Sequence, residues 1–158
     1  MNTFENSLLD EMNRLNISYQ LITHQTAESI EHVSKLRKMN QNTSIKSILF
    51  KHNNIFSIFS LRGHLNIDSK KVRKILHSHK LSFASREQLY QLTQCIPGTL
   101  SPFGFPWRKL PLYLDDSIKE EETVAFTFGS LEQSLILKTH DYCKLIKYQI
   151  YSFAKKQL

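Results

Sequence analysis

The chain has 158 residues, 41% hydrophobic and 22% charged, and its 21 Lys and Arg outnumber 14 Asp and Glu to give a formal charge of +7. That length fits a single domain over 1–158 that folds without staples, and no apolar run approaches the ~20 residues of a membrane span. Met-Asn-Thr-Phe-Glu-Asn at the start has no basic stretch leading into an apolar one, so the expected compartment is the cytoplasm; Cys95 and Cys143 lie far apart without metal-ligand spacing, so reduced thiols are expected, and neither a metal nor a cofactor.

Phe4, Leu8, Leu9, Met12 and Leu15 recur at helical spacing and predict a helix over 4–15, with Asn16 and Ser18 stopping it before a strand over 17–23. Thr26 and Ser29 offer caps for a second helix to about residue 39, with Ile30, Val33, Leu36 and Arg37 on its buried side. Strands over 45–50 and 55–61 flank His52-Asn53-Asn54, and an Asn pair tolerates positive φ, which predicts an antiparallel hairpin. In the first of these strands Lys46 shares a face with Ile48 and Phe50. An ammonium on such a face either reaches back to water, as on an edge strand, or meets an anion.

Asp68 caps a basic helix over 69–79, residues 81–83 read as a short strand, and Ser85 with Gln88 has the capping-box pattern for a helix to residue 92. All four prolines, Pro97, Pro102, Pro106 and Pro111, then fall in a fifteen-residue window with Gly98 and Gly104. Proline fixes φ and glycine opens positive φ, so the segment is a stiff loop with exposed amides, either a crossover or a built site. A strand over 110–114, an acidic turn over 115–122 and a hairpin of 123–128 with 134–138 around Gly129-Ser130 follow. Thr139 is expected to cap a terminal helix and tail over about 140–158, with Tyr142, Leu145, Ile146 and Ile150 inward and the end past Tyr151 fraying. Hairpins separated by helices predict an α+β fold with a mainly antiparallel or mixed sheet and flanking helices.

The charge is uneven. Arg62, Lys70, Lys71, Arg73, Lys74 and Lys80 face Asp68 alone in that stretch, whereas Asp115, Asp116, Glu120, Glu121 and Glu122 gather later. Such a patch is either a solvated helix face or a surface for nucleic-acid phosphate, with Lys70, Lys71, Arg73 and Lys74 as the candidate contacts.

The ordered set of His24-x-Thr26-x-x-Ser29, Lys46 within Ile45-Lys46-Ser47-Ile48-Leu49-Phe50, the run Pro97-Gly98-Thr99-Leu100-Ser101-Pro102-Phe103-Gly104, and the hairpin Phe128-Gly129-Ser130 with Ser134 resembles the YbaK/EbsC and ProX family. These are free-standing relatives of the editing domain inserted in bacterial prolyl-tRNA synthetases, and the likeness covers about 17–147. The resemblance implies an aminoacyl-tRNA deacylase that hydrolyses, in trans, the ester between a wrongly attached amino acid and the terminal adenosine. It implies a catalytic set of Lys46, Gly98, Ser101 and Gly104, and substrate contacts from His24, Ser47, Thr99, Pro102, Phe103, Phe128, Gly129, Ser130 and Ser134. Its implied partners are aminoacyl-tRNA and an aminoacyl-tRNA synthetase, with no membrane.

No nucleophile is legible. Ser101 follows no Gly-x-Ser-x-Gly elbow, and a serine before proline usually bonds its own turn; Cys95 reads as a small buried hydrophobe, and His24 and His140 as caps or surface groups. Water is the expected attacker. Phe128, standing where several relatives carry a small residue, together with Phe103, Phe105 and Trp107 predicts a restricted pocket that favours alanyl, seryl or threonyl groups. Two rivals share the fold: an inactive oligonucleotide- or tRNA-binding module, and a synthetase-interaction protein docking through Leu8, Met12, Tyr148, Tyr151 and Phe153.

Overall fold

Helical spacing at the N-terminal end builds α1 (Thr3–Arg14), which buries Leu8 and Met12 completely, and Asn16, left-handed at φ 57°, turns the chain into β1 (Tyr19–Thr23). In this computed structural model residues 3–157 are described; Met1, Asn2 and Leu158, and so the extreme ends of the expected domain, start and tail, lie outside the described residues. Ser29 rather than Thr26 caps α2 (Ile30–Arg37) by accepting from the His32 amide, and Lys38 ends it in the left-handed region. The predicted hairpin is β2 (Ile45–His52) with β3 (Ile55–Arg62), turned by Asn53 and Asn54 at φ 49° and 62°. Asp68 caps α3 (Ser69–Leu76), and after β4 (Ser82–Phe83) the full capping box of Ser85 and Gln88 opens α4 (Arg86–Thr93).

Beyond the Pro/Gly loop come β5 (Leu112–Asp115), a 3-10 turn over Asp116–Glu120, β6 (Thr123–Thr127), β7 (Gln133–Lys138), α5 (Thr139–Lys144) and β8 (Gln149–Tyr151). Two sheets result: an antiparallel one in the order β1-β7-β6 and a mixed one in the order β4-β2-β3-β5-β8, bridged by the pair Ser44 and Ala125. Within the mixed sheet β3 to β5 and β5 to β8 run parallel. No helix among the described residues is long and apolar enough to cross a membrane.

Both faces of the mixed sheet are covered. Ile45, Leu49 and Ile58 join α1, the loop and the antiparallel sheet in one core, while Phe50, Phe59 and Leu61 pack with Val72 of α3 and Phe153 in a second.

The expected terminal helix and fraying tail are corrected by that second core. α5 stops at Lys144, Lys138 occupies its cap position, and the Thr139 hydroxyl donates instead to the Glu121 carbonyl. The chain then enters β8, and Phe153 is 0% exposed, its amide and that of Ala154 donating to the Asp115 carboxylate. Ile150, expected inward, is exposed. The proposed docking patch also dissolves: Leu8, Met12 and Phe153 are fully buried, which leaves only Tyr151 of that set as an exposed large apolar group.

Candidate active site

The middle of β2 is an open sheet edge. β4 pairs only with Phe50 and Lys51, the Leu49 carbonyl accepts from the Ala84 amide, and the Ser44–Ala125 bridge ties the start of the strand to β6, so by strand alternation the backbone groups of Ser47 face outward with no partner strand. α2 and the Pro/Gly loop close over this edge to form a cavity of about 290 Å³. Ile30, Val33 and Arg37 of α2, residues 45–47, Gly98 and Leu100 of the loop, and Thr127 with Leu131 line it. Lys46 and the loop therefore face one shared space.

Gly98 makes this possible: at φ +89° it occupies a conformation other residues adopt only with strain, and an added Cβ would stand 3.1 Å from the Leu131 side chain. Its carbonyl is held by the Thr127 hydroxyl at 2.7 Å, and Thr99 ties the turn back to Ile96. The Gly98 and Leu100 amides donate to no group among the described residues, so they remain open to a ligand oxygen.

Two cations line the cavity. Lys46 is half-buried, has no carboxylate within salt-bridge reach among the described residues, and burial lowers its proton affinity below the ordinary lysine value. Arg37 is 7% exposed and its pKa is pushed down to about 10 by burial. Its guanidinium donates to Ser134 Oγ at 2.8 Å and Ser44 Oγ at 2.9 Å, and no acid pairs with it among the described residues. Behind it, His24 Nδ1 lies 2.7 Å from the Gln25 carbonyl, which can only accept, so Nδ1 carries the proton and Nε2 accepts from the Ser134 hydroxyl at 2.7 Å. His24 and Ser134 thus hold Arg37 from outside the cavity wall rather than line it.

His64, beside Lys46, is kept neutral to lower pH than an ordinary histidine by burial, then by the charges of Arg62 and Lys46.

The rest of the expected site lies elsewhere, and several expectations are corrected. Ser101 is 1% exposed and accepts from Arg108, whose guanidinium also donates to the Phe103 carbonyl and lies 4.0 Å over the Phe4 ring; Ser101 holds the turn and is no nucleophile of this cavity. Pro102 is fixed by the Tyr142 hydroxyl at 2.5 Å, Phe103 is fully buried among Phe4, Phe126 and Tyr142, and a Cβ on Gly104 would meet the Leu110 carbonyl at 2.4 Å. Phe128 is likewise sealed in the core beside Phe4, Phe105 is exposed and Trp107 bonds the Leu145 carbonyl. Those rings do not narrow the cavity, whose apolar wall is Ile30, Val33, Ile45, Leu100 and Leu131. Gly129 turns at φ +80° against Glu5 of α1, and Ser130 is exposed and caps the Glu132 amide. Cys95 is buried against Arg108.

Sequence reasoning placed Arg37 on a buried face and gave it no role, and it passed over Arg108; neither stands in a motif. Of the basic helix, Lys70, Arg73 and Lys74 line a surface groove with His77, while the Lys71 ammonium is taken up by the Ala154 carbonyl. A larger depression of 610 Å³ is lined by His140 and sets Glu120, Glu121 and Glu122 beside Lys119 and Lys138, with Glu120 and Glu121 already paired to Arg62.

The sequence profile of the aminoacyl-tRNA editing domain matches residues 24–145. The chain is 26% identical over 144 residues to the multifunctional Ser/Thr-tRNA deacylase ProXp-y of Escherichia coli (strain K12), covering 87% of this chain and 84% of that one. It is 24% identical over 147 residues, 89% of each chain, to the prolyl-tRNA editing protein ProX of Acetoanaerobium sticklandii. A further likeness, 27% over 92 residues, is to the proline–tRNA ligase of Bacillus subtilis (strain 168), of which it spans 16%. A solved structure described as a candidate trans-editing enzyme for prolyl tRNA synthetase superposes with a TM-score of 0.84 at 15% identity, over 99% of both chains, and shares the fold.

Proposed function

This chain belongs to the aminoacyl-tRNA editing domain family, and from that premise we propose that it is a free-standing hydrolase that removes a wrongly attached small amino acid from the 3′ end of a tRNA. The observation that carries the reading is the cavity shared by Lys46, Arg37 and the Gly98 turn, where the Gly98 and Leu100 amides donate to no other group among the described residues.

The reaction needs little more. Lys46 and Arg37 attract the terminal phosphate or the ester carbonyl, and the fixed amides of Gly98 and Leu100 donate to the oxygen that becomes negative when the carbonyl carbon turns tetrahedral. Water adds to that carbon, the bond to the ribose oxygen breaks, and the proton lost by water ends on that oxygen, giving free amino acid and a tRNA with its hydroxyl restored. A volume of 290 Å³ suits an adenosine end with a small side chain. The Escherichia coli relative is named for seryl- and threonyl-tRNA, side chains of that size.

Release of amino acid from a panel of mischarged tRNAs tests the proposal. Alanyl, seryl and threonyl esters should be cleaved faster than large aromatic ones, and Lys46→Ala should lower kcat/KM by on the order of 10²-fold while tRNA affinity falls only modestly. Because burial lowers the Lys46 pKa, activity that needs its charge should fall at alkaline pH before the 10.5 of a free lysine is reached. Binding without turnover on every ester, before and after substitution, would leave an inactive tRNA-binding module.

A further inference from the structure

The cavity at the open edge is not closed at its far side. A second depression of about 230 Å³ shares Ser47, Gly98 and Leu100 with it and runs along β2 to Phe83 and Arg86. A third, of about 490 Å³, continues from Arg86 and Pro97 to Tyr90 and Ile96. Together they form a continuous groove from Lys46 past β4 to the outer face of α4.

Two aromatic rings on this track are exposed to a degree unusual for their size. Phe83 is 66% exposed although its inner face is stacked on Phe50, centroids 5.2 Å apart and planes 23° from parallel, so one face is fixed and the other offered. Tyr90 is 58% exposed, four residues and thus one turn after Arg86 on α4, so the two share a face. Neither ring completes a core. Lys46, Arg37 and Arg86 line the groove against Glu28 and Glu87, and exposed Lys80 precedes β4.

We propose that this groove is a binding track for unpaired RNA, with Phe83 and Tyr90 as platforms for the bases of successive nucleotides and Arg86 between them for a phosphate. Stacking on aromatic faces beside spaced cations is how single strands are held without reading their sequence. The groove begins at the cavity that takes the terminal adenosine, so its strand is the unpaired run just before that nucleotide; this last assignment rests on the deacylase reading.

A 5′-labelled hexaribonucleotide without an amino acid, followed by fluorescence anisotropy, isolates the track from the reaction. Phe83→Ala with Tyr90→Ala should raise its Kd roughly tenfold or more, since each stacked base is worth about 1–3 kcal/mol. Leu92→Ala, an exposed apolar change on α4 outside the groove, should leave it unchanged. An abasic hexanucleotide should bind the parent protein as weakly as the intact one binds the double variant. On full mischarged tRNA the double variant should raise KM at unchanged kcat, and an aminoacylated adenosine without the strand should be cleaved equally by both proteins. Equal affinity for the intact and abasic strands, or an unaltered Kd in the double variant, overturns the track; so does concentration-dependent dimerisation lost in the double variant with RNA affinity unmoved, which would make the groove a contact between copies. If no ester is cleaved but the oligonucleotide results hold, the deacylase reading falls and the track stands.

Discussion

Arg37 is the residue whose placement costs the fold most visibly. A guanidinium removed from water without an anion is unfavourable, and its lowered pKa of about 10 reports that cost. Between about 10 and the higher value of an arginine in the unfolded chain, the unfolded state holds the proton more tightly, so stability rises with pH through that interval, and at neutral pH the whole penalty is present. Ser134 keeps His24 and Ser44 keeps Ser34 as hydrogen-bond partners without it. Replacing Arg37 by Met should therefore hold or raise the melting temperature while kcat/KM drops at least tenfold, the pattern of a charge kept for a ligand. A melting temperature that falls in step with activity would make Arg37 a structural brace instead.

At the scale of elements, the Pro/Gly loop is two devices in one chain segment. Its first half, at Gly98 and Leu100, faces the cavity; its second half, from Ser101 to Gly104, is clamped by Arg108 and Tyr142. Gly104→Ala should test the clamp, because its Cβ meets a backbone carbonyl at 2.4 Å that no side-chain rotation can relieve. A loss of about 2–4 kcal/mol in denaturant unfolding is expected, with weaker substrate turnover as the turn shifts. The local chemistry of caps, the Asn53-Asn54 turn and the capping box was readable from sequence because each is settled within four residues. The faces of Phe103 and Phe128 were not, since α1 decides them from a hundred residues away; nor was β8, three residues whose only claim to strand is parallel pairing with β5. The motif named Lys46 and Gly98, which line one cavity, but sequence order could not tell which half of the loop turns inward.

For the whole molecule, charge is arranged by region. Lys70, Arg73 and Lys74 form a basic groove on α3, over the sheet face that holds Phe50 and Phe59, and residues 78–81 lead from it to Phe83. We expect paired tRNA to rest there. Lys70→Ala with Lys74→Ala should weaken tRNA binding and make the plot of log affinity against log salt shallower by about 1 to 2, leaving kcat untouched. An unchanged salt slope would place the helix elsewhere.

At Ser47 no strand pairs with the outer side of β2; α2 and the Pro/Gly loop stand over it across the cavity instead. An unpaired strand segment is a template on which a second chain can pair when the segments above it move aside, and β4 shields only the far end of β2. Lys46 adjoins Ser47, so its charge also acts as a gatekeeper against self-association. Lys46→Ala should thus be assayed beside Lys46→Arg, and both weighed by light scattering, since aggregation of the neutral variant would imitate a catalytic defect.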